Sequence, residues 1–450
     1  MLVDQQPFTR RTSYGPSSPV VGTRGARRRQ QIVDAALQCF TERGFHATGV
    51  EDIATLANTS RATLYQYFES KEAIFIELMD EAGAALMRVT RRLGPLGPTA
   101  QGFDNLHWWL GEWAWVFDRY SAMFVEWANV NSPKAPLRPK LVQFIENHTR
   151  RFHTTLTNAG FDGDPDVASV LVLALLNRYN YIRHVYKPGL TDAQMLESLT
   201  IALQLFLFPG TPSAVLEAGP QSAERPARPA AATAAPTHAI GPLATLPDPD
   251  EIVVVSPFEG LSAQAARTVR QLLDAAGTVF ANGGYDAANV DQIVTEANLA
   301  RGTFYRYFHD KLELIIALAN EAAAEMSGPF RELGEIAQRD DPAALRQWLH
   351  GFLALHDRYA GVLRVWTEGS PVDPRVLAPC RDTVIGLGAA LRNLFGNHQT
   401  YGLSRRAAGV MVAALLEHFP NEGKGTTIDP TPDQIVETQA MFIERVLLRR

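Results

Sequence analysis

The stretch Arg61-Ala62-Thr63-Leu64-Tyr65-Gln66-Tyr67-Phe68 returns, slightly varied, as Arg301-Gly302-Thr303-Phe304-Tyr305-Arg306-Tyr307-Phe308. The offset is constant: 301 answers to 61, and Lys311 answers to Lys71. In the same register Asp34, Ala35, Ala36, Phe40, Gly44, Val50, Ile53, Ala57 and Asn58 recur identically as Asp274, Ala275, Ala276, Phe280, Gly284, Val290, Ile293, Ala297 and Asn298. The likeness extends further. Trp109, Asp118-Arg119-Tyr120 and Trp127 match Trp348, Asp357-Arg358-Tyr359 and Trp366 with the offset reduced by one. Ala174-Leu175-Leu176, Thr191, Gln194 and Glu197 match Ala414-Leu415-Leu416, Thr431, Gln434 and Glu437 at the original offset. The chain therefore reads as a tandem duplication of one all-helical protein of roughly 200 residues, a usual domain size.

Composition sets outer limits. At roughly 150 residues per domain, 450 residues predict two to four domains. No apolar run reaches the ~18 residues of a membrane-spanning helix, so no membrane partner is expected. The N-terminus has no apolar core of the kind a signal peptide needs. Cys39 and Cys380 are the only cysteines, too few for a disulfide framework, so the expected location is a reducing cytoplasm. The net charge of −6 argues against a general polycation but not against a local basic surface. The eleven histidines show no His-Glu-x-x-His spacing, and neither a Gly-rich phosphate loop nor a Gly-x-Ser-x-Gly elbow is present. No metal, cofactor or catalytic residue is expected.

Taken in order, residues 1–23 are rich in Pro, Ser, Gly and Thr and read as a disordered N-terminal arm. Arg24, Arg27, Arg28 and Arg29 follow, either a solvated flank or an arm for DNA phosphates and the minor groove. From Gln31, Ile32, Ala35, Ala36, Cys39 and Phe40 recur at helical spacing, and Gly44 stands where a left-handed cap belongs. Thr48 and Glu51 fit a capping box for a short second helix. Asn58-Thr59 makes a tight turn, and Ser60 caps a third helix that ends at Phe68. A supporting helix followed by helix, tight turn, helix is the helix-turn-helix arrangement. A long helix then starts at Lys71 and breaks at Gly94-Pro95. Residues 103–130 are dense in Trp and Phe, and further helices start near Asp164-Pro165 and Thr191-Asp192. Around 209–250 the chain turns to Pro, Ala, Gly and Thr and reads as linker. The expected domains are a helix-turn-helix domain at 24–70, a helical regulatory domain at 71–208, a linker at 209–260, a second helix-turn-helix domain at 261–310 and a second regulatory domain at 311–450.

The pattern from Gln31 to Lys71, and again from Gln271 to Lys311, resembles the TetR family of bacterial transcriptional regulators. Asp34-Ala35-Ala36, Phe40, Gly44-Phe45, Ile53-Ala54, Thr63-Leu64-Tyr65-Gln66-Tyr67-Phe68 and Lys71 carry the resemblance, with their counterparts in the second copy. It implies two tandem units, each with a three-helix DNA-binding domain and a helical domain for ligand binding and dimerisation. Two copies in one chain depart from the family's usual homodimer. By position, the resemblance implies that Arg61, Ala62 and Gln66 face base edges, with Arg301, Gly302 and Arg306 in the second copy. It implies phosphate contacts for Thr48, Thr63, Tyr65, Tyr67 and Lys71, and for Thr303, Tyr305, Tyr307 and Lys311. The chemistry agrees: hydroxyls and amines position a duplex, while Arg and Gln discriminate base pairs. Packing is the competing reading of these aromatics, and for Phe68 it is the preferred one.

The aromatic belt also has two readings. Aromatics at helical spacing commonly form core, whereas the resemblance implies an apolar small-molecule effector between the helices. Its candidate contacts are Trp109, Trp113, Phe117 and Trp127, with Trp348, Phe352 and Trp366 in the second copy. The resulting expectation is a DNA-binding regulator, a repressor released by that effector, that grips a double-stranded operator as an intrachain pseudo-dimer. Higher-order pairing is left open. The alternative is a helical small-molecule-binding or scaffolding protein that does not touch DNA.

Overall fold

The computed structural model describes residues 23–45, 47–125, 138–186, 189–220, 258, 260–339, 341–368, 373–394 and 401–448. The described residues are helical, with turns and no strand, and none of their helices is long and apolar enough to cross a membrane. The arm expected at 1–23 lies outside them except for Thr23, as do Trp127 and most of the linker. The chain clusters into two compact units. One takes the described residues up to Leu86 together with Val116–Val125; the other takes the rest.

The first unit opens with α1 (Thr23–Arg43), α2 (Val50–Leu56) and α3 (Arg61–Tyr67), followed by most of α4 (Lys71–Arg91). The end of α5 (Ala100–Arg119) and the short α6 (Ser121–Val125) complete it, with α6 packed on α1. Ile32, Ala36, Phe40, Ile53, Leu64 and Phe68 form its core. The backbone turns where the residue types allow. Gly44 takes φ 80° and donates its N–H to Phe40 O at 2.9 Å. Asn58 takes φ 48°, a left-handed conformation that Asn tolerates better than most residues. The cap of α2 sits one residue later than expected. Its N-cap is Gly49, whose N–H donates to Asp52 Oδ2 at 2.8 Å, so Asp52 takes the place proposed for Glu51.

The second unit holds two sets of helices. From the first half of the chain come α7 (Arg138–Asn158), α8 (Pro165–Tyr186) and α9 (Asp192–Leu207). Asp164 Oδ1 accepts the N–H groups of Asp166 and Val167 at the start of α8, and Thr191 with Gln194 closes a full capping box on α9. A short helix, α10 (Ser213–Ala218), stands where the linker was expected to begin, because Leu216 finds a buried site there. From the second half come α11 (Ala263–Gly283), α12 (Val290–Glu296), α13 (Arg301–Tyr307), α14 (Lys311–Arg339), α15 (Pro342–Arg358) and α16 (Ala360–Glu368). They continue through α17 (Pro374–Leu394), α18 (Arg405–Glu417), α19 (Phe419–Glu422) and α20 (Pro432–Ile443), which runs into a π turn at Glu444–Leu448. Within this unit α8 packs against α18, α19 and α20, and α9 packs against α18 and the π turn. Val170, Leu171, Ala174, Leu203 and Phe206 are buried there with Ala414, Leu415, Phe442 and Val446. Phe206 and Phe442 lie 5.4 Å apart between ring centroids. Apolar burial of this kind contributes about 25 cal/mol per Å² removed from water.

Candidate nucleic-acid interface

The third helix of each copy presents the same face. In α3, Arg61, Ala62, Tyr65 and Gln66 are exposed, Thr63 and Tyr67 are half-buried, and Leu64 and Phe68 point into the core. In α13 the sequence of exposure is identical: Arg301, Gly302, Tyr305 and Arg306 out, Thr303 and Tyr307 intermediate, Phe304 and Phe308 in. Large aromatic rings normally leave water, yet Tyr65 and Tyr305 are 40% and 50% exposed. Seven-residue helices cannot hold themselves, so their ends are fastened. Ser60 Oγ accepts the Thr63 N–H at 3.0 Å, whereas Ala300 offers α13 no such cap.

Each arginine on this face is poised by the helix before it. Arg61 pairs with Glu51, and its Nη2 lies 3.5 Å from the Tyr65 hydroxyl. Arg301 pairs with Asp291 at 2.9 Å and lies 3.4 Å from the Tyr305 hydroxyl. The hydroxyl and the carboxylate together hold both guanidiniums above their ordinary pKa. Sequence reasoning missed Glu51 and Asp291 in this role. The available signal was an acidic residue ten positions before the arginine in both copies.

Other expected contacts turn out to serve the frame. Thr48 is 2% exposed, and its hydroxyl lies 3.1 Å from Cys39 O and 2.8 Å from Gly44 O, where it holds the loop before α2. Lys71 Nζ donates to Phe45 O at 2.8 Å and Thr48 O at 3.0 Å and sits 4.4 Å from the Phe45 ring centre. Lys311 repeats this with Tyr285 O at 2.8 Å and Ala288 O at 2.9 Å, and burial lowers its pKa. These lysines fasten the loop before the second helix. Arg24, Arg27, Arg28 and Arg29 belong to α1 and form no separate arm. Arg29 is buried, bonds Glu77 with two nitrogens, donates to Tyr67 O at 2.8 Å and covers the Phe68 ring at 4.0 Å. It ties the end of α3 to α4.

The aromatic belt is packed. Trp109 and Trp113 are 0% exposed, edge to face at 5.6 Å. Trp109 stacks on Phe152 at 5.3 Å, and His148 meets Trp113 at 5.2 Å. Among the described residues neither indole N–H has a hydrogen-bond partner, nor does His148 Nε2. Burial pushes the His148 pKa down to about 3, so its ring is neutral at ordinary pH. The second copy differs: Trp348 donates to Pro329 O at 2.7 Å and stacks on Phe352 at 5.3 Å, and Trp366 donates to Val376 O at 3.0 Å. Phe117, in the first unit, stacks on Phe124 at 4.6 Å. Trp127 lies outside the described residues. A small cleft among Arg270, Asp274, Glu321, Arg358 and Tyr359 has a volume of about 20 Å³, room for a water rather than an effector.

Two stretches of the chain are similar to a known family. The profile of bacterial regulatory proteins of the tetR family matches residues 32–78 and again 272–318. The uncharacterised HTH-type transcriptional regulator YdgC of Bacillus subtilis (strain 168) is 35% identical over 71 residues, 16% of this chain and 36% of that protein. The HTH-type transcriptional regulator RutR of Escherichia coli (strain K12) is 44% identical over 52 residues, 12% of this chain and 24% of that protein. The chain thus spans only 24% to 36% of the length of these relatives. Among solved structures, the transcriptional regulator FadR from Bacillus subtilis in complex with stearoyl-CoA gives a TM-score of 0.32 at 18% identity, covering 39% of this chain and 96% of that one.

Proposed function

We propose that this chain is a DNA-binding transcriptional regulator whose two tetR-like domains read an imperfect inverted repeat together, as an intrachain pseudo-dimer. The observation that carries the reading is the repeated exposed face of α3 and α13, each with an arginine poised by a carboxylate and a tyrosine. Packing of α8 and α9 against α18 and α20 supplies the pairing of the two halves. Arg61, Ala62 and Gln66 read base edges in one half-site, and Arg301, Gly302 and Arg306 in the other. Arginine suits the O6 and N7 acceptors of guanine and glutamine suits adenine, so the half-sites differ. Thr63, Tyr65 and Tyr67, with Thr303, Tyr305 and Tyr307, hold phosphates. Lys71 and Lys311 support binding through the loop that each fastens.

The regulatory reading is repression relieved by an effector in the first half. Two buried indole N–H groups without partners each carry a desolvation cost of about 1–3 kcal/mol. A ligand with an apolar body and an acceptor group, a carboxylate or a carbonyl, would satisfy them by displacing the packed rings between α5 and α7. The second-half indole already has its acceptor, so that half is the less responsive.

Selection of bound duplexes from a random pool at stated salt tests the DNA reading. The expected result is one asymmetric inverted repeat, with affinity falling steeply as salt rises. No enrichment and no salt-sensitive retention on DNA would favour a binding or scaffolding protein instead. Tryptophan fluorescence and operator release, titrated with apolar acids, test the effector reading.

A further inference from the structure

Polar and charged side chains of the first half of the chain meet those of the second half at both ends of the helix packing. Arg178 on α8 is buried and forms a two-pronged pair with Glu417 on α18, Nε to Oε2 at 3.0 Å and Nη2 to Oε1 at 2.8 Å. Asn177 Nδ2 donates to the fully buried Glu422 at 3.2 Å. At the other end of the bundle, Arg445 Nη2 meets both oxygens of Asp162 at 2.9 Å, and its Nη1 donates to Phe206 O at 2.8 Å.

The duplication makes these contacts informative. In the repeat register Asn177 answers to Glu417, Arg178 to His418, Asp162 to Gly402, and Leu205 to Arg445. The pseudo-symmetric mate of the Arg178–Glu417 contact is therefore Asn177 with His418. The mate of Asp162–Arg445 is Leu205 with Gly402. Neither mate is an acid–base pair of the same kind.

We infer that these side chains form a pairing code that commits the first half of the chain to the second half and rejects like-with-like pairing. The inference rests on the pseudo-dimer reading above. If two first halves met in the same geometry, Arg178 would face Asn177 of the other copy, and Asp162 would face Leu205. Two charges, one of them buried, would have no counterpart. If two second halves met, Arg445 would face Gly402, Glu422, which already has His418 at 3.0 Å, would come against Glu417, and Glu417 would exchange the two-pronged Arg178 for the single ring nitrogen of a His418 that is already engaged. Stranding a buried charge is more costly than never burying it, so mismatches of this sort discriminate strongly between partners. A homodimer needs one self-complementary surface. Duplication released each half from that constraint, and here the acid of one pair and the base of the other lie in the same half.

The test uses full-length chains. Two differently tagged copies are co-expressed, and exchange between them is read by co-purification and by mass from light scattering. Wild type is expected at the mass of one chain with no exchange. Arg178→Glu or Glu417→Arg should raise the partner-exchanged, double-mass fraction at least about tenfold or lower the urea midpoint, and Arg178→Glu with Glu417→Arg should restore both. Asp162→Arg and Arg445→Asp provide an independent second pair, less buried, for the case in which a change at Arg178 prevents folding. Single reversals that leave mass, exchange and midpoint unchanged would overturn the code while leaving the pseudo-dimer intact. Failure of the double reversals to restore at both pairs would overturn it equally. A wild-type particle of two chains with first half against first half would instead overturn the pseudo-dimer reading itself.

Discussion

Protonation of His148 is the sharpest physical consequence of the packed first-half belt. The ring is 0% exposed among Trp109, Trp113 and Phe152, its Nδ1 lies 3.3 Å from Thr90 Oγ1, and its Nε2 has no partner among the described residues. Burial holds its pKa at about 3 against an ordinary value of 6.5. Between those values the unfolded chain takes up a proton that the folded chain refuses, so stability is full above pH 6.5 and falls as pH drops toward 3. At 1.36 kcal/mol per unit, acidification to pH 5 removes about 2 kcal/mol, and the whole window is worth about 5 kcal/mol. The assay is urea unfolding followed by tryptophan fluorescence at pH 7.5 and pH 5, for wild type and for His148→Phe. Exposed carboxylates titrate alike in both proteins, so the difference isolates this ring. Wild type should lose about 2 kcal/mol more than the variant over this interval. Equal losses, or an NMR titration that places His148 near its ordinary value, would refute the reasoning.

Three further outcomes follow from the same geometry. Arg61→Ala should relax base preference at one position by about 1–3 kcal/mol, whereas Tyr65→Phe should weaken binding to all sequences alike; binding to specific and random duplexes measures both. Ala300→Ser should stabilise the second helix-turn-helix by about 1 kcal/mol by supplying the cap oxygen that Ser60 gives the first, and Ser60→Ala should cost about as much, read by thermal unfolding. Arg29→Ala should destabilise the DNA-free protein by roughly 3 kcal/mol because it strands Glu77, measured by urea unfolding; an effect confined to DNA binding would return Arg29 to the role of an arm.

What could be read from the sequence was what is written locally. Gly44, Asn58 and Ser60 are residue types demanded by a left-handed cap, a tight turn and a helix start, and each stands where such geometry is found. The all-helical class and the twice-repeated three-helix pattern followed from periodicity and register. The cap of α2 was misjudged by one residue because Thr48 and Gly49 are both plausible N-caps, and only the burial of Thr48 against Cys39 O separates them. Arg29 was misread because its partners, Glu77 and Tyr67, are remote in sequence and a run of arginines looks the same whether solvated or buried. The same distance hid the meeting of Trp109 and Trp113 with His148. The pairing of Arg178 with Glu417 was equally hidden, since it spans the two halves of the duplication and neither residue repeats.

In the pseudo-dimer proposed above, one chain carries both readers of one operator. The direct measurement is the mass and footprint of the complex between the full-length chain and the duplex selected from a random pool. One chain per duplex is predicted, protecting two unlike half-sites centred about one DNA turn apart, ~34–36 Å. Two chains per duplex, or two identical half-sites unaffected by Arg306→Gln, would contradict it.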